Sequence, residues 1–149
     1  MTEQAVNRAE LREAALRLLA RREHSHVELS HKLTRRGWPE VEVASIIEEL
    51  AVENLQSDER FAESYARSRA AKHYGPVRIR AELGERGIDR ALADRAIGEL
   101  ETDWFALAAD WYERRYGSEP VEDLKEKSRR QQALARRGFA HEHIRELLS

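Results

Sequence analysis

Leu33–Trp38 reads LTRRGW, and two later stretches of the chain repeat the pattern. Leu83–Ile88 reads LGERGI and Leu134–Phe139 reads LARRGF, so the glycines recur at near-equal intervals. Apolar residues flank each copy at helical spacing. A glycine between two such patterns is typical of a helix that ends in a left-handed backbone and is followed at once by a second helix. The three copies therefore predict three helix–turn–helix corners.

The residues beside each glycine support this interpretation. An arginine precedes each glycine, where a cation favours the negative end of the helix dipole. An apolar residue follows it, at the spacing of a hydrophobic staple that sets the entry into the next helix. The staple pairs are Trp38 with Val43, Ile88 with Ala93 and Phe139 with Ile144. Asp89 suits an N-cap, whereas Pro39 suits it less and predicts a start shifted by a residue.

A longer amphipathic helix is predicted before each corner, at residues 9–22, 58–73 and 102–116. Ser25-x-x-Glu28 is typical of a capping box, Ser57 of an N-cap, and Gly75-Pro76 of a helix stop followed by a start. No stretch alternates like a strand. The sequence predicts an all-α protein of three tandem three-helix repeats (helix–turn–helix-like units), 9–56, 57–101 and 102–149, after a frayed segment 1–8.

Composition excludes several classes of function. The chain of 149 residues has no cysteine, so disulfides, thiolate nucleophiles and cysteine-ligated metals are excluded. No glycine-rich phosphate loop, HExxH or GxSxG motif occurs, and we expect no enzymatic activity. The histidines lack partners at tetrahedral-ligand spacing, so neither a metal nor a cofactor is expected. Without an uninterrupted apolar segment near the N-terminus, we expect a cytoplasmic protein that does not span a membrane.

Charge is unevenly distributed, although the net charge is only −2. The segment 64–81 has no acid but five basic residues, and 127–141 is a second acid-free basic run. Between Glu40 and Glu63, eight acids accompany the single base Arg60. Such runs are typical either of a solvated face or of a footprint for an anionic partner, which is protein or nucleic acid.

Reading of the DNA major groove is disfavoured. The helix after each glycine would have to enter the groove, as in a helix–turn–helix protein. In the first unit this helix carries Glu40, Glu42, Glu48 and Glu49, which phosphates would repel. Salt-sensitive contact of the basic runs with a DNA backbone stays open.

The central segment Asp58–Ile88, DERFAESYARSRAAKHYGPVRIRAELGERGI, resembles RecX, a family of bacterial modulators of the RecA recombinase. REHSHVELSHKLTRRGW before it and LARRGF after it extend the resemblance to about residues 9–149. The most specific part is Asp58-Glu59-Arg60-Phe61, followed by Gly75-Pro76 and Arg86-Gly87-Ile88. The third repeat matches less closely, since Arg130 stands where the others have Leu29 and Ile79.

The resemblance implies an elongated, curved, non-enzymatic molecule, which we expect to be a monomer. It implies binding along the RecA–single-stranded-DNA filament and inhibition of ATP hydrolysis, strand exchange and coprotease activity, in DNA repair and the SOS response. It leaves open whether the ends of the filament are capped and whether DNA is touched directly, in a weak contact. A stand-alone nucleic-acid-binding helical repeat protein is the alternative, and a purely structural scaffold the third.

Candidate contact residues follow from charge and position in the motifs. The residues expected at the turns are Gly37, Gly75, Pro76, Gly87 and Gly138. The residues expected to bind the partner are Arg67, Arg69, Lys72, Tyr74, Arg78, Arg80, Arg86, Lys127, Arg129 and Arg130. Most of them flank the Gly75-Pro76 corner, where two helices can present charge together.

Overall fold

The computed structural model describes residues 7–149, which form nine α-helices and no strand. The helices are α1 (Arg8–Arg21), α2 (His26–Arg35), α3 (Glu40–Val52), α4 (Asp58–Ala71), α5 (Pro76–Glu85), α6 (Arg90–Glu99), α7 (Trp104–Tyr116), α8 (Leu124–Arg137) and α9 (His141–Leu147). The all-α fold predicted from the sequence is confirmed. Of the segment predicted to fray, residues 1–6 lie outside the described part, and Arg8 already begins α1.

Each consecutive set of three helices encloses its own apolar core. The residue four positions before each corner glycine, Leu33, Leu83 or Leu134, is fully buried in the core of its repeat. The chain exposes 9328 Å², against about 7,800 Å² for a compact monomer of 17.3 kDa. The repeats therefore form an elongated array; the exact borders proposed between them stay a prediction.

The three corner glycines adopt the predicted left-handed backbone. Their φ angles are +99° at Gly37, +81° at Gly87 and +106° at Gly138. The amide after each glycine donates to the carbonyl five residues earlier, over 3.2 Å from Trp38 to Leu33 in the first corner. This bond is the longer-range bond of a Schellman motif, and it closes the helix before the next one starts.

The helix starts agree with the predicted caps except at Pro39. Ser25 and Glu28 form the capping box, Ser57 accepts from the Arg60 amide, and Asp89 caps α6. The shifted start expected at Pro39 is wrong, because α3 begins as far after its glycine as α6 does. Pro39 is itself the N-cap, with φ −63° and ψ 138°. An N-cap needs an extended backbone and no intrahelical N–H bond, and proline meets both conditions.

Candidate partner-binding surface at the joints between repeats

The second and third repeats meet where the corner between α4 and α5 contacts the corner between α8 and α9. The Gly75 amide donates to the Arg137 carbonyl over 3.0 Å, and the Val77 amide donates to the Gly138 carbonyl over 2.9 Å. A Cβ on Gly75 would lie 2.3 Å from the backbone of Gly138. Glycine is therefore required at 75 by a close approach of two backbones, since its own φ is −83°. The left-handed residue at this corner is His73, at φ 65°.

Arg137 ties this joint to the corner that contains Tyr74. Its Nε donates to the His73 carbonyl over 2.9 Å, and its Nη2 donates to the Lys72 carbonyl. The guanidinium carbons of Arg69 and Arg137 lie 3.7 and 3.8 Å from the centroid of the Tyr74 ring. Contacts at these distances are cation–π interactions. Tyr74, expected from the sequence at a partner interface, is therefore half-buried within the joint.

A carboxylate from outside the acid-free run neutralises part of its charge. Arg69 binds both carboxylate oxygens of Glu82, over 2.8 and 2.9 Å, and the Arg78 Nε donates to the same group over 2.9 Å. The Tyr65 hydroxyl donates to Glu82 over 2.9 Å. Burial alone would raise the pKa of Glu82, but these hydrogen bonds outweigh burial and lower the pKa to about 2. Glu82 is therefore ionised and holds α4 against α5.

The joint between the first and second repeats depends on Asp58. Its Oδ1 accepts from the His26 amide over 2.8 Å and from the Gln56 side chain over 3.0 Å. A Cβ on Gly87 would lie 2.2 Å from the Val27 side chain, so this corner also packs against the start of the middle helix of the preceding repeat. At each joint, the corner glycine of the later repeat therefore packs against the start of the middle helix of the earlier one, Gly87 against Val27 and Gly138 against Arg78.

Family models match nearly the whole chain, repeat by repeat. The model of the first three-helix domain of RecX matches residues 12–50, that of the second 57–97 and that of the third 101–148. The chain belongs to the RecX family. A protein of Halorhodospira halophila named regulatory protein RecX is 43% identical, over 97% of this chain and 90% of the relative. One from Pseudomonas entomophila with the same name is 42% identical, over 93% of this chain and 90% of the relative.

A solved structure extends the likeness to three dimensions. The crystal structure of RecX from Lactobacillus salivarius superimposes with a TM-score of 0.76 and 26% sequence identity, over 95% of this chain and 94% of that one. The RecX relatives carry the name of a regulatory protein, and the fold is a helical repeat. In the described part of the chain, no group of three or more metal-binding side chains comes together, and no helix is long and apolar enough to cross a membrane.

Six of the predicted partner-binding cations lie on or directly after α4 and α5, and they differ in whether they are already bound within the chain. Arg67 and Lys72 are exposed, and neither forms an ion pair with any residue from 7 to 149. The Arg69 side chain is only 19% exposed; it forms an ion pair with Glu82 and a cation–π contact with the Tyr74 ring. Arg80 binds Asp94, and Arg86 lies 4.7 Å from the Tyr65 ring and 3.8 Å from Glu28 in the first repeat. These last three side chains are committed to contacts within the array.

The predicted contacts on α8 lie away from the joint. Arg130 is only 17% exposed and donates to Glu126 and to the Tyr112 hydroxyl, each over 2.9 Å. It occupies the position of a buried aliphatic residue in the other repeats, so the third core holds a polar network there. Arg129 is exposed beside Glu126, and Lys127 donates to the Ser149 carbonyl. The assignment of these three side chains to a partner stays a prediction.

Two arginines that bring the basic runs together, Arg136 and Arg137, were not among the partner-binding residues predicted from the sequence. Arg137 binds the corner around His73, as described above. Arg136 is exposed, and its carbonyl accepts from the Arg78 Nη1 over 3.2 Å. Both precede Gly138, and the shared motif was the signal that could have singled them out. We name Lys72, Arg78 and Arg136 the joint surface: three exposed cations at the contact between the second and third repeats, of which Arg78 is also paired with Glu82.

Proposed function

We propose that this protein binds RecA filaments on single-stranded DNA and inhibits their ATP hydrolysis, strand exchange and coprotease activity. Membership of the RecX family supports the proposal. We choose the joint surface as the binding surface because Lys72, Arg78 and Arg136 are exposed cations at one contact between repeats. A filament wrapped around DNA is anionic overall, so exposed cations would speed encounter and orient docking.

The rigidity of the joint adds to this argument. Arg137 binds two carbonyls of the corner, and the Gly75 and Val77 amides bind carbonyls of the third repeat. Cations held on such a frame lose less conformational freedom on binding than cations on a mobile loop. The backbone that carries the joint surface is therefore held in place before a partner binds.

A test must spare the side chains that hold the joint together. We choose Lys72→Glu with Arg136→Glu, because neither side chain forms an ion pair among residues 7–149. The matched control is Arg95→Glu with Lys125→Glu, two exposed cations elsewhere that change the net charge equally. RecA ATP turnover on single-stranded DNA is titrated with each protein at fixed salt. We expect the joint variant to need at least about tenfold more protein for half-inhibition, and the control to inhibit like the parent.

Equal inhibition by the two variants would remove the joint surface from the proposal. A parent that fails to inhibit would remove the RecA proposal itself. Binding to DNA without RecA is the alternative, in which affinity for bare single strands falls steeply with salt. We propose that such direct contact is weak, because Tyr74 is covered by arginines and is not free to stack on a base. Action as a monomer in the cytoplasm also stays a prediction.

A further inference from the structure

The outer face of α3 carries the most exposed large hydrophobic side chains among residues 7–149. Val41 and Val52 are 81% and 83% exposed, more than any other large hydrophobic residue in this range. Ala44 is exposed between them, and Leu55 follows just beyond the helix. Residues three, seven and eleven positions apart share one side of an α-helix. Val41, Ala44, Glu48 and Val52 therefore form one row, which we name the α3 stripe and which points away from the core of the first repeat.

The other two repeats provide an internal comparison. The positions seven and eight residues after the corner glycine lie on the outer face of the last helix of each repeat. They are uncharged in α3, as Ala44 and Ser45, and charged in both other repeats. The charged residues are Asp94 and Arg95 in α6, and Arg145 and Glu146 in α9. All six residues are exposed, and charge is what a helix face in contact with water ordinarily carries. The position of Val41 is Ala91 in α6 and Glu142 in α9. When corresponding positions of the three repeats are compared, only the first repeat therefore has an exposed valine beside uncharged neighbours.

The charge on this face is acidic. Glu48 lies at the middle of the α3 stripe, is exposed, and forms no ion pair within residues 7–149. Glu40 is exposed in the first turn, where the helix dipole favours an acid. Glu49 and Glu53 bind Arg12 of α1 and so hold α1 to α3. Because α3 itself carries no basic residue, Glu48 has no cation along its own helix.

These observations decide which occupant fits. Any surface that covers the two valines also covers Glu48 between them, and a carboxylate removed from water needs a cation to pair with it. A second copy of the chain, paired through the same patch on both molecules, would instead bring the two Glu48 side chains together. Like charges at such a contact oppose association. An amphipathic helix with small apolar residues along one side and lysines or arginines beside them matches both the valines and Glu48.

We propose that the outer face of α3 is a docking site for a basic amphipathic helix of a protein partner. The site lies on the first repeat, and its charge is opposite to that of the joint surface. It does not rest on the proposed inhibition of RecA. The chain would thus bind an anionic partner through the joint surface and a basic helix through α3.

The test uses the full chain and two synthetic peptides of about 20 residues, long enough to form a helix. Both carry an alanine–leucine stripe; one is flanked by lysines and the other by glutamates. Binding is measured by calorimetry, and amide NMR shifts locate the site. We expect the lysine peptide to bind and to shift the amides of α3, and the glutamate peptide not to bind. Equal binding of the two peptides, binding of neither, or shifts centred on another helix would overturn the proposal.

Variants separate the apolar contact from the charge. Val41→Gln with Val52→Gln removes apolar contact without a change in charge, and we expect affinity for the lysine peptide to fall at least about tenfold. Glu48→Lys should weaken binding through charge. The matched control, Ala91→Gln with Thr102→Gln at the same places in the second repeat, should bind like the parent. Unchanged affinity in the valine variant would refute the α3 stripe as the site.

Two further measurements would identify a different occupant of the outer face of α3. Sedimentation of the parent as a dimer that the valine variant abolishes would assign the face to a second copy. Binding that appears only after removal of residues 1–6 would assign it to the chain's own N-terminus. Either result would overturn the proposal.

Discussion

Gly75→Ala should open the joint between the second and third repeats while leaving both cores folded. The added Cβ would lie 2.3 Å from the carbonyl carbon and oxygen of Gly138 and 2.5 Å from the Phe139 nitrogen. All three are backbone atoms, so no side-chain rotation can relieve the overlap. The two backbones must move apart by more than 1 Å to reach ordinary contact at 3.4–4 Å. Such a movement breaks the hydrogen bonds of the Gly75 and Val77 amides across the joint.

The magnitude follows from those two bonds. Each contributes about 0.5–1.5 kcal/mol, so the joint loses about 1–3 kcal/mol. Alanine itself adopts the backbone at 75, with φ −83° and ψ 167°, without strain. The alanine offsets about 0.4–1 kcal/mol of this loss of free energy, because it restricts the conformations of the unfolded chain. We therefore expect a net loss of about 1–2 kcal/mol, which is about a 5- to 30-fold change in an equilibrium.

Amide hydrogen exchange measures this opening directly. The Val77 amide donates only across the joint, so its protection should fall about 5- to 30-fold, while the Ile88 amide, bonded to Leu83, keeps its protection. The control is Gly84→Ala in α5, where a Cβ meets nothing within 4 Å and helix propensity should slightly raise stability. Unchanged protection of Val77 in Gly75→Ala would refute the close approach as the reason for this glycine.

Two further predictions concern the joint between the first and second repeats and the half-buried carboxylate of Glu82. Gly87→Ala places a Cβ in a left-handed backbone and 2.2 Å from Val27, so urea unfolding should show a loss of at least about 1–2 kcal/mol. Adding Val27→Ala removes the Cγ2 contact at 2.2 Å but leaves the Cβ of residue 27 at 2.8 Å, so it should recover part of the steric loss and none of the backbone loss. No recovery at all would argue against this contact. The pKa of Glu82 is about 2 against an ordinary 4.5, so its contribution to stability is complete above about pH 4.5 and is lost as the pH falls toward 2. Glu82→Gln should flatten the dependence of stability on pH in that window, and a slope equal to that of the parent would contradict the assignment.

The local signals in the sequence determined much of the fold. Gly37, Gly87 and Gly138 each end a helix in a left-handed backbone, which glycine adopts without the Cβ strain that other residues incur. Ser25 and Ser57 cap helices with their own hydroxyls, an interaction that spans three residues of sequence. Such short-range chemistry is readable without knowledge of the tertiary structure.

The candidate site was less predictable because it depends on contacts between distant residues. Glu82 lies just outside the acid-free run, yet the packing of α5 against α4 brings it to Arg69. Tyr74 was expected at an interface, but Arg137, from another repeat, covers its ring. Gly75 was expected to make a turn, whereas the backbone of Gly138 is what requires it. None of these partners is visible in the local pattern of charge.

We propose that this RecX family member recognises the RecA filament and not bare DNA. Fluorescence anisotropy of the labelled full chain tests it, with single-stranded DNA alone and with the same DNA coated by RecA and a non-hydrolysable nucleotide. We predict tight binding to the filament, at least about tenfold weakened by Lys72→Glu with Arg136→Glu, and only weak, salt-sensitive binding to bare DNA. Equal affinity for the coated and the bare strand would contradict recognition of the RecA filament.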